Sequence, residues 1–144
     1  MSENTTTSIP QWPDDVASVN VVSPKAILRI IGQQLTDRTK GLLTGQVESS
    51  DKEKWETHEF YIVAPSLDNY RYRLFQIRNE KGLAYPVWVM SYVVSISNDD
   101  DEGSGFPSAS GQDEFSMYVN EILAAKSTKS VIHALLARIN ESKA

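Results

Sequence analysis

Apolar residues first recur at regular intervals after residue 22. They lie three and four positions apart along one helical stripe, at Ile27, Ile30, Ile31 and Leu35. Ser23 is a favourable N-cap, and Pro24 suits the first helical position because an N–H group there has no helical partner. Gly41 can end the helix in a left-handed conformation. The spacing therefore predicts a helix over residues 24–39.

Four segments with the pattern of β-strands follow. They cover residues 42–48, 55–63, 70–78 and 85–96. The polar connection 49–54 predicts a hairpin loop, and the other connections are also short, so we expect an antiparallel meander. The fourth segment is nearly continuous apolar sequence, which predicts that both of its faces are at least partly covered.

Helical spacing returns towards the carboxyl terminus. Two apolar stripes predict helices over 112–125 and 128–141. We therefore expect an α+β fold of order α-β-β-β-β-α-α, in which a four-stranded antiparallel β-meander is preceded by one helix and followed by two. The helices should lie mainly on one face of the sheet. Residues 23–144 would form this single domain, and the polar residues 1–22 a mobile N-terminal tail.

Composition limits the class of protein. A chain of 144 residues fits one domain, and the absence of cysteine excludes disulfides and thiol nucleophiles. No apolar run approaches the ~18–20 residues needed to cross a bilayer, and the first residues lack a signal-peptide pattern. We therefore expect a cytoplasmic protein with no membrane role. The net charge of −5 repels polyphosphates, which argues against binding to nucleic acid.

Residues 97–112 form an acidic stretch rich in Gly and Ser. It contains four consecutive acids, Asp99, Asp100, Asp101 and Glu102. An EF-hand alignment that starts at Asn98 puts Ala109 at the twelfth position, where calcium needs a bidentate carboxylate, so we predict no metal site. We expect a flexible loop whose charge can steer a basic partner.

The alternation Tyr70-Arg71-Tyr72-Arg73 places two tyrosines on one side of a strand and two arginines on the other. Phe75 has the same parity as the arginines. The arginine side is therefore expected to become core farther along the strand, with the arginines reaching out to solvent. The stretch has no RNP-like motif that would indicate RNA binding.

Motifs of catalysis are missing from the sequence. The two histidines, His58 and His133, have no metal-ligand spacing, and there is no G-x-S-x-G or phosphate-binding loop. We therefore predict no enzymatic activity and no cofactor. Gly45 is interpreted as a strand irregularity or bulge.

If helices cover one face of the sheet, aromatic residues on the other face are available to a partner. The candidates are Trp55, Tyr61, Tyr70, Tyr72, Trp88 and Tyr92. Which set faces the helices is left open by the sequence. The predicted partner-binding residues are Asp99, Asp100, Asp101, Glu102, Tyr70, Tyr72 and Trp88.

The leading hypothesis is a small acidic cytoplasmic module that binds another, basic protein and acts by occlusion. Its size, acidity and lack of cysteine are similar in character to bacterial immunity proteins and antitoxins. A first alternative is a small-molecule-binding protein or small enzyme with a pocket between sheet and helices, formed by His58, Glu59, Arg71 and Arg73. Glu56 could replace Glu59 beside the histidine. A second alternative is a homo-oligomeric adaptor.

Overall fold

The computed structural model describes residues 9–94 and 106–143. Its helices are α1 (Pro24–Arg38), α2 (Gln112–Ala124) and α3 (Lys126–Lys143). Its strands are β1 (Thr44–Lys52), β2 (Trp55–Ala64), β3 (Tyr70–Glu80), β4 (Val87–Ser91) and β5 (Ser108–Ala109), and a short 3-10 helix spans Pro65–Leu67. All neighbouring strands pair antiparallel in the order β1-β2-β3-β4-β5. The α+β class, the antiparallel meander and the three helices are confirmed.

The predicted number of four strands is wrong, because the sheet formed by the described residues has five. β5 pairs with β4 through Val87↔Ala109 and Trp88↔Ser108, and Ala109 is fully buried. A two-residue strand inside a stretch of Gly, Ser and Pro leaves no periodic pattern in the sequence. β5 lies within the predicted loop 97–112, of which residues 97–105 fall outside the described residues.

The fourth strand is also much shorter than the predicted segment 85–96. It begins after Pro86, whose peptide bond with Tyr85 is cis. It ends at Ser91, whose hydroxyl oxygen accepts hydrogen bonds from the N–H groups of Val93 and Val94. Such local bonds from a serine side chain to the backbone compete with strand pairing. The strand length predicted from the apolar composition was therefore too long.

α1 begins where the sequence predicts it. The Ser23 hydroxyl accepts a hydrogen bond from Ala26 N–H, and Pro24 occupies the first turn. The helix packs so closely on β1 that the backbones of Gly32 and Gly45 are in contact. Gly45 pairs regularly with Ile62 and is no bulge. The interpretation of Gly45 as an irregularity is wrong, because its lack of a side chain serves the contact between helix and strand.

The irregularity lies instead in β3. Phe60 pairs with Phe75 whereas Tyr61 pairs with Arg73, which leaves Leu74 as an extra residue. Leu74 and Phe75 are both buried in the core. Because side chains alternate between the two faces of a sheet, one extra residue moves all side chains beyond the bulge to the opposite face. Arg73 therefore lies on the face opposite Phe75, and the prediction that the arginine side becomes core is wrong.

The three helices cover one face of the sheet. Residues of all three line a small cleft whose floor is formed by Phe60, Ile62 and Leu74. The core on this side is continuous and includes Leu28, Phe60, Phe75, Ile77, Val89, Phe115, Ile122 and Ile139. Phe60 and Phe75 stack at its centre with their ring centroids 5.4 Å apart. In the described parts of the chain, no helix is both long and apolar enough to span a membrane.

Candidate functional site

The other face of the sheet bears aromatic, arginine and glutamate side chains, and none of the described helices packs on it. We call this surface the outer face. It is formed by Glu48, Trp55, Glu59, Tyr61, Arg71, Arg73, Gln76, Arg78, Trp88, Met90 and Tyr92. Its aromatic and arginine residues are the types enriched where proteins bind one another.

An apolar cavity opens on the outer face near the β1-β2 turn and the β3-β4 connection. Its volume is about 380 Å³, and its lining includes Trp55, Gln76, Arg78, Trp88, Met90 and Phe106. The two indole rings meet edge to face, with centroids 5.4 Å apart and planes at 85°. Such aromatic pairs gain about 0.5–1.5 kcal/mol beyond their buried area, so the walls of the cavity are held in place.

Two other arginines of the outer face, farther along β3 from the cavity, are already paired. Arg71 forms an ion pair with Glu48 at 2.6 Å, and Arg73 forms one with Glu59 at 2.7 Å. Each guanidinium group also stacks on a tyrosine ring, Arg71 on Tyr61 at 4.0 Å and Arg73 on Tyr92 at 4.2 Å. Both arginines thus have a fixed position and a neutralising carboxylate.

The same contacts shift the acid–base properties of this surface. Hydrogen bonds to Glu48 and Glu59 raise the pKa of Arg71 and of Arg73 respectively. Partial burial raises the pKa of Tyr61, and the Glu59 carboxylate, which accepts a hydrogen bond from the Tyr61 hydroxyl at 3.2 Å, raises it further. All three side chains therefore keep their protons at neutral pH.

Arg78, at the rim of the cavity, has a different environment. Its guanidinium carbon lies 5.6 Å from the centroid of Trp55, and the ammonium of Lys54 lies 5.4 Å from the same ring. Among the described residues, no carboxylate forms an ion pair with Arg78. Within the described residues, no ion pair neutralises Arg78 or Lys54 at this end of the outer face.

His58 lies on the opposite, helix-covered face and is only 4% exposed. Its Nδ1 is 2.7 Å from the hydroxyl of Ser49, the residue of β1 with which His58 pairs. Its Nε2 is 3.6 Å from a carboxylate oxygen of Glu56. Burial lowers the pKa of His58, and the positive charge of Lys25 lowers it further, against the opposing effect of Glu56. The ring is therefore neutral at neutral pH.

A second cavity of about 270 Å³ lies beside His58. Its lining includes Lys25, Glu56, His58, Asn79 and Leu83, but Ser49 is not part of it. The Asn79 amide donates to Glu56 at 3.2 Å and to the Leu83 carbonyl at 2.8 Å. Ser49 and Glu56 therefore serve as polar partners for the two ring nitrogens of a buried histidine.

Metal binding finds no support within the ranges 9–94 and 106–143. No group of three or more His, Asp or Glu side chains there has the geometry to hold a metal ion.

The predicted partner-binding residues are divided between the two faces. Trp88 lies on the outer face. Tyr72 lies on the helix side, next to Ile62, and Tyr70 lies next to Ala64 on the same side and is 49% exposed. Asp99, Asp100, Asp101 and Glu102 are outside the described residues.

The residues of the alternative pocket are not brought together. Glu59, Arg71 and Arg73 lie on the outer face, whereas His58 lies on the helix side, and neighbouring residues of a strand point to opposite faces. The arginines reach Glu48 and Glu59 and not the histidine.

Met90, Arg78 and Phe106 line the cavity and are among the residues that sequence reasoning missed. Met90 alternates with Trp88 along β4, and this signal was available in the sequence. Arg78 alternates with the buried residue Ile77 along β3, so this signal was also available in the sequence. Phe106 belongs to the predicted loop, and no pattern in the sequence places it beside Trp88.

No protein-family model matches this chain, and searches of curated proteins and of solved structures find no significant similarity. The outer face must therefore be interpreted from its own chemistry.

Proposed function

We propose that this protein is a binding module that uses its outer face to cover a site on another protein. The observation that carries the proposal is the aromatic cavity between Trp55 and Trp88, which opens on a face that no described helix covers. Tryptophan, tyrosine and arginine dominate the binding energy of protein interfaces. An apolar cavity flanked by these residues can receive an anchor side chain of a partner.

The fixed geometry of the outer face supports the same proposal. Arg73 is held between Glu59 and Tyr92, and the Tyr92 hydroxyl donates a hydrogen bond to Gln76 at 3.3 Å. Side chains that are ordered before binding lose little conformational entropy when a partner docks. Because the surface is already arranged, binding by occlusion needs no rearrangement of the sheet.

The overall charge favours a basic partner. The net charge of −5 attracts basic proteins at long range, and the tract Asp99, Asp100, Asp101 and Glu102 is proposed to contribute to this steering. We expect the association rate with such a partner to fall as salt concentration rises. The proposed setting is the cytoplasm, and the proposed character is that of an immunity protein or antitoxin, on grounds of size, acidity and absence of cysteine.

The test is affinity capture of a partner, followed by measurement of its affinity for matched variants. Trp88→Ala removes one wall of the cavity, so we expect the affinity to fall at least about tenfold, as for a hot-spot tryptophan. Met117→Ala is the control, because Met117 is 51% exposed on α2, away from the outer face. Its affinity should equal that of the wild type.

A partner that binds both variants equally would end this proposal. The mass of the free protein in solution is measured in parallel and is expected to be 16.1 kDa. A multiple of this mass that reverts to the monomer with Trp88→Ala would instead assign the outer face to contacts between copies of the chain.

A further inference from the structure

We infer that the Trp55–Trp88 cavity takes an apolar side chain of the partner protein that has a carboxylate beside it, and that Arg78 pairs with this carboxylate. This inference rests on the proposed function and specifies the segment of the partner that docks. The occupant is thus an acidic and apolar stretch of polypeptide.

The three arginines of the outer face differ in their ion-pair partners. Arg71 and Arg73 each have a carboxylate within 2.7 Å, whereas Arg78 has no ion-pair partner among the described residues. Glu80 follows two positions later on the same strand, and it forms no ion pair with Arg78. A guanidinium group presents a planar fork of donors that matches a carboxylate, and no carboxylate of the described residues occupies the fork of Arg78.

The positive charge of Arg78 lies at the rim of the cavity. Arg78 lines the apolar cavity. The ammonium of Lys54 and the guanidinium carbon of Arg78 lie 5.4 Å and 5.6 Å from the centroid of the Trp55 ring. A side chain that enters the cavity displaces water from this rim, and a charge pair gains strength when water is excluded. A carboxylate next to the anchor side chain is therefore favoured over a neutral group.

The net charge of the protein and the charge of Arg78 act over different distances. The net charge of −5 acts at long distance and favours a partner that is basic as a whole. Arg78 acts only on contact, since salt screens exposed charges beyond about 8–10 Å. A basic partner that docks through a local acidic and apolar segment meets both conditions.

A nucleic acid fits the outer face less well. Phosphates need uncompensated arginines, and two of the three arginines are neutralised by Glu48 and Glu59. The net charge also repels a polyphosphate. An oligothymidylate is nevertheless included in the test, because bases can stack on tryptophan rings.

The test uses two small probes that differ only in charge. N-acetyl-phenylalanine carries a carboxylate beside its apolar side chain, and N-acetyl-phenylalaninamide carries a neutral amide in its place. Binding is followed by NMR through the indole N–H signals. Those of Trp55 and Trp88 should shift, and that of Trp12, which is 82% exposed, should not. We expect the acid to bind about fivefold more tightly than the amide at low salt.

Matched variants assign this preference to one residue. Arg78→Gln should remove the preference for the acid and leave the affinity for the amide unchanged. Arg71→Gln, on the same face, should leave the preference intact because Arg71 is already paired with Glu48. Both residues are exposed, and unchanged thermal unfolding will show that the variants are folded.

The inference is overturned by equal affinity for the two probes, or by a preference for the acid that survives Arg78→Gln. It is also overturned if neither probe shifts the indole signals at about 20 mM, a concentration that detects even weak binding. It is also overturned if the oligothymidylate binds more tightly than the acid and shifts the same signals. Equal affinity with shifted Trp55 and Trp88 signals would leave the cavity as an anchor site. The partner's indifference to Trp88→Ala would count against the proposed function itself.

Discussion

Arg71 and Arg73 are each held by two contacts, a carboxylate at one side and a tyrosine ring below. An exposed ion pair alone contributes little to stability, because solvent and salt screen the two charges. The second contact removes much of the remaining freedom of the side chain. At the scale of single residues, the outer face is therefore an ordered surface and not a set of loose charges.

His58 is the residue whose environment makes a prediction about pH. Its folded pKa is lowered, so the unfolded chain binds a proton at about pH 6.5 that the folded protein takes up only at lower pH. The stabilising contribution of the neutral ring is complete above pH 6.5 and is lost as the pH falls below it. Urea unfolding between about pH 7.5 and about pH 5 should show the wild type losing more free energy of unfolding than His58→Gln.

His133→Gln provides the control for this experiment. His133 is exposed on α3, so its variant should follow the pH dependence of the wild type. A difference between wild type and His58→Gln that stays constant across the pH range would show that the lowered pKa of His58 is wrong.

Two local features determine how the elements fit together. The close contact of Gly32 and Gly45 lets α1 lie directly on β1, and the bulge at Leu74 turns Arg71 and Arg73 away from the core. Each depends on one or two residues. Together they determine how a helix covers one face of the sheet and which side chains the other face carries.

Gly45→Ala tests the contact between α1 and β1. An added Cβ would overlap the Cα of Gly32 and lie 2.8 Å from the Phe60 ring, so backbone or core must shift. We expect a loss of about 1–3 kcal/mol in the free energy of unfolding, measured by urea denaturation.

Ser50→Thr is the matched control, because it also adds one methyl group to β1 but at an exposed position. Its free energy of unfolding should stay within about 0.5 kcal/mol of the wild type. A loss with Gly45→Ala no larger than that of the control would refute the close packing of helix and strand.

The elements themselves were largely predictable. Helical spacing located α1 and α2 to within one residue of their bounds, because one-sided burial imposes a period that the sequence retains. The bulge was not predictable, since one inserted residue in an apolar strand leaves the composition unchanged. β5 was missed because two residues are too few to show alternation.

At the scale of the whole molecule, helices cover one face of the sheet and leave aromatic and charged side chains on the other. The sequence predicted that such a face exists and included Trp55, Tyr61, Trp88 and Tyr92 among its candidates. It could not separate these from Tyr70 and Tyr72, because the bulge that assigns the faces lies between Tyr72 and Phe75. That the acidic tract and the outer face act on the same partner is part of the proposal.

Hydroxyl-radical footprinting of the protein, alone and in complex with its captured partner, tests the central claim most directly. The claim is that the partner sits on the outer face. It predicts that oxidation of Trp55, Trp88 and Met90 falls on binding, while oxidation of Met117 on α2 stays unchanged. Equal oxidation of the three outer-face residues in the free and bound protein, with protection of Met117 instead, would contradict it.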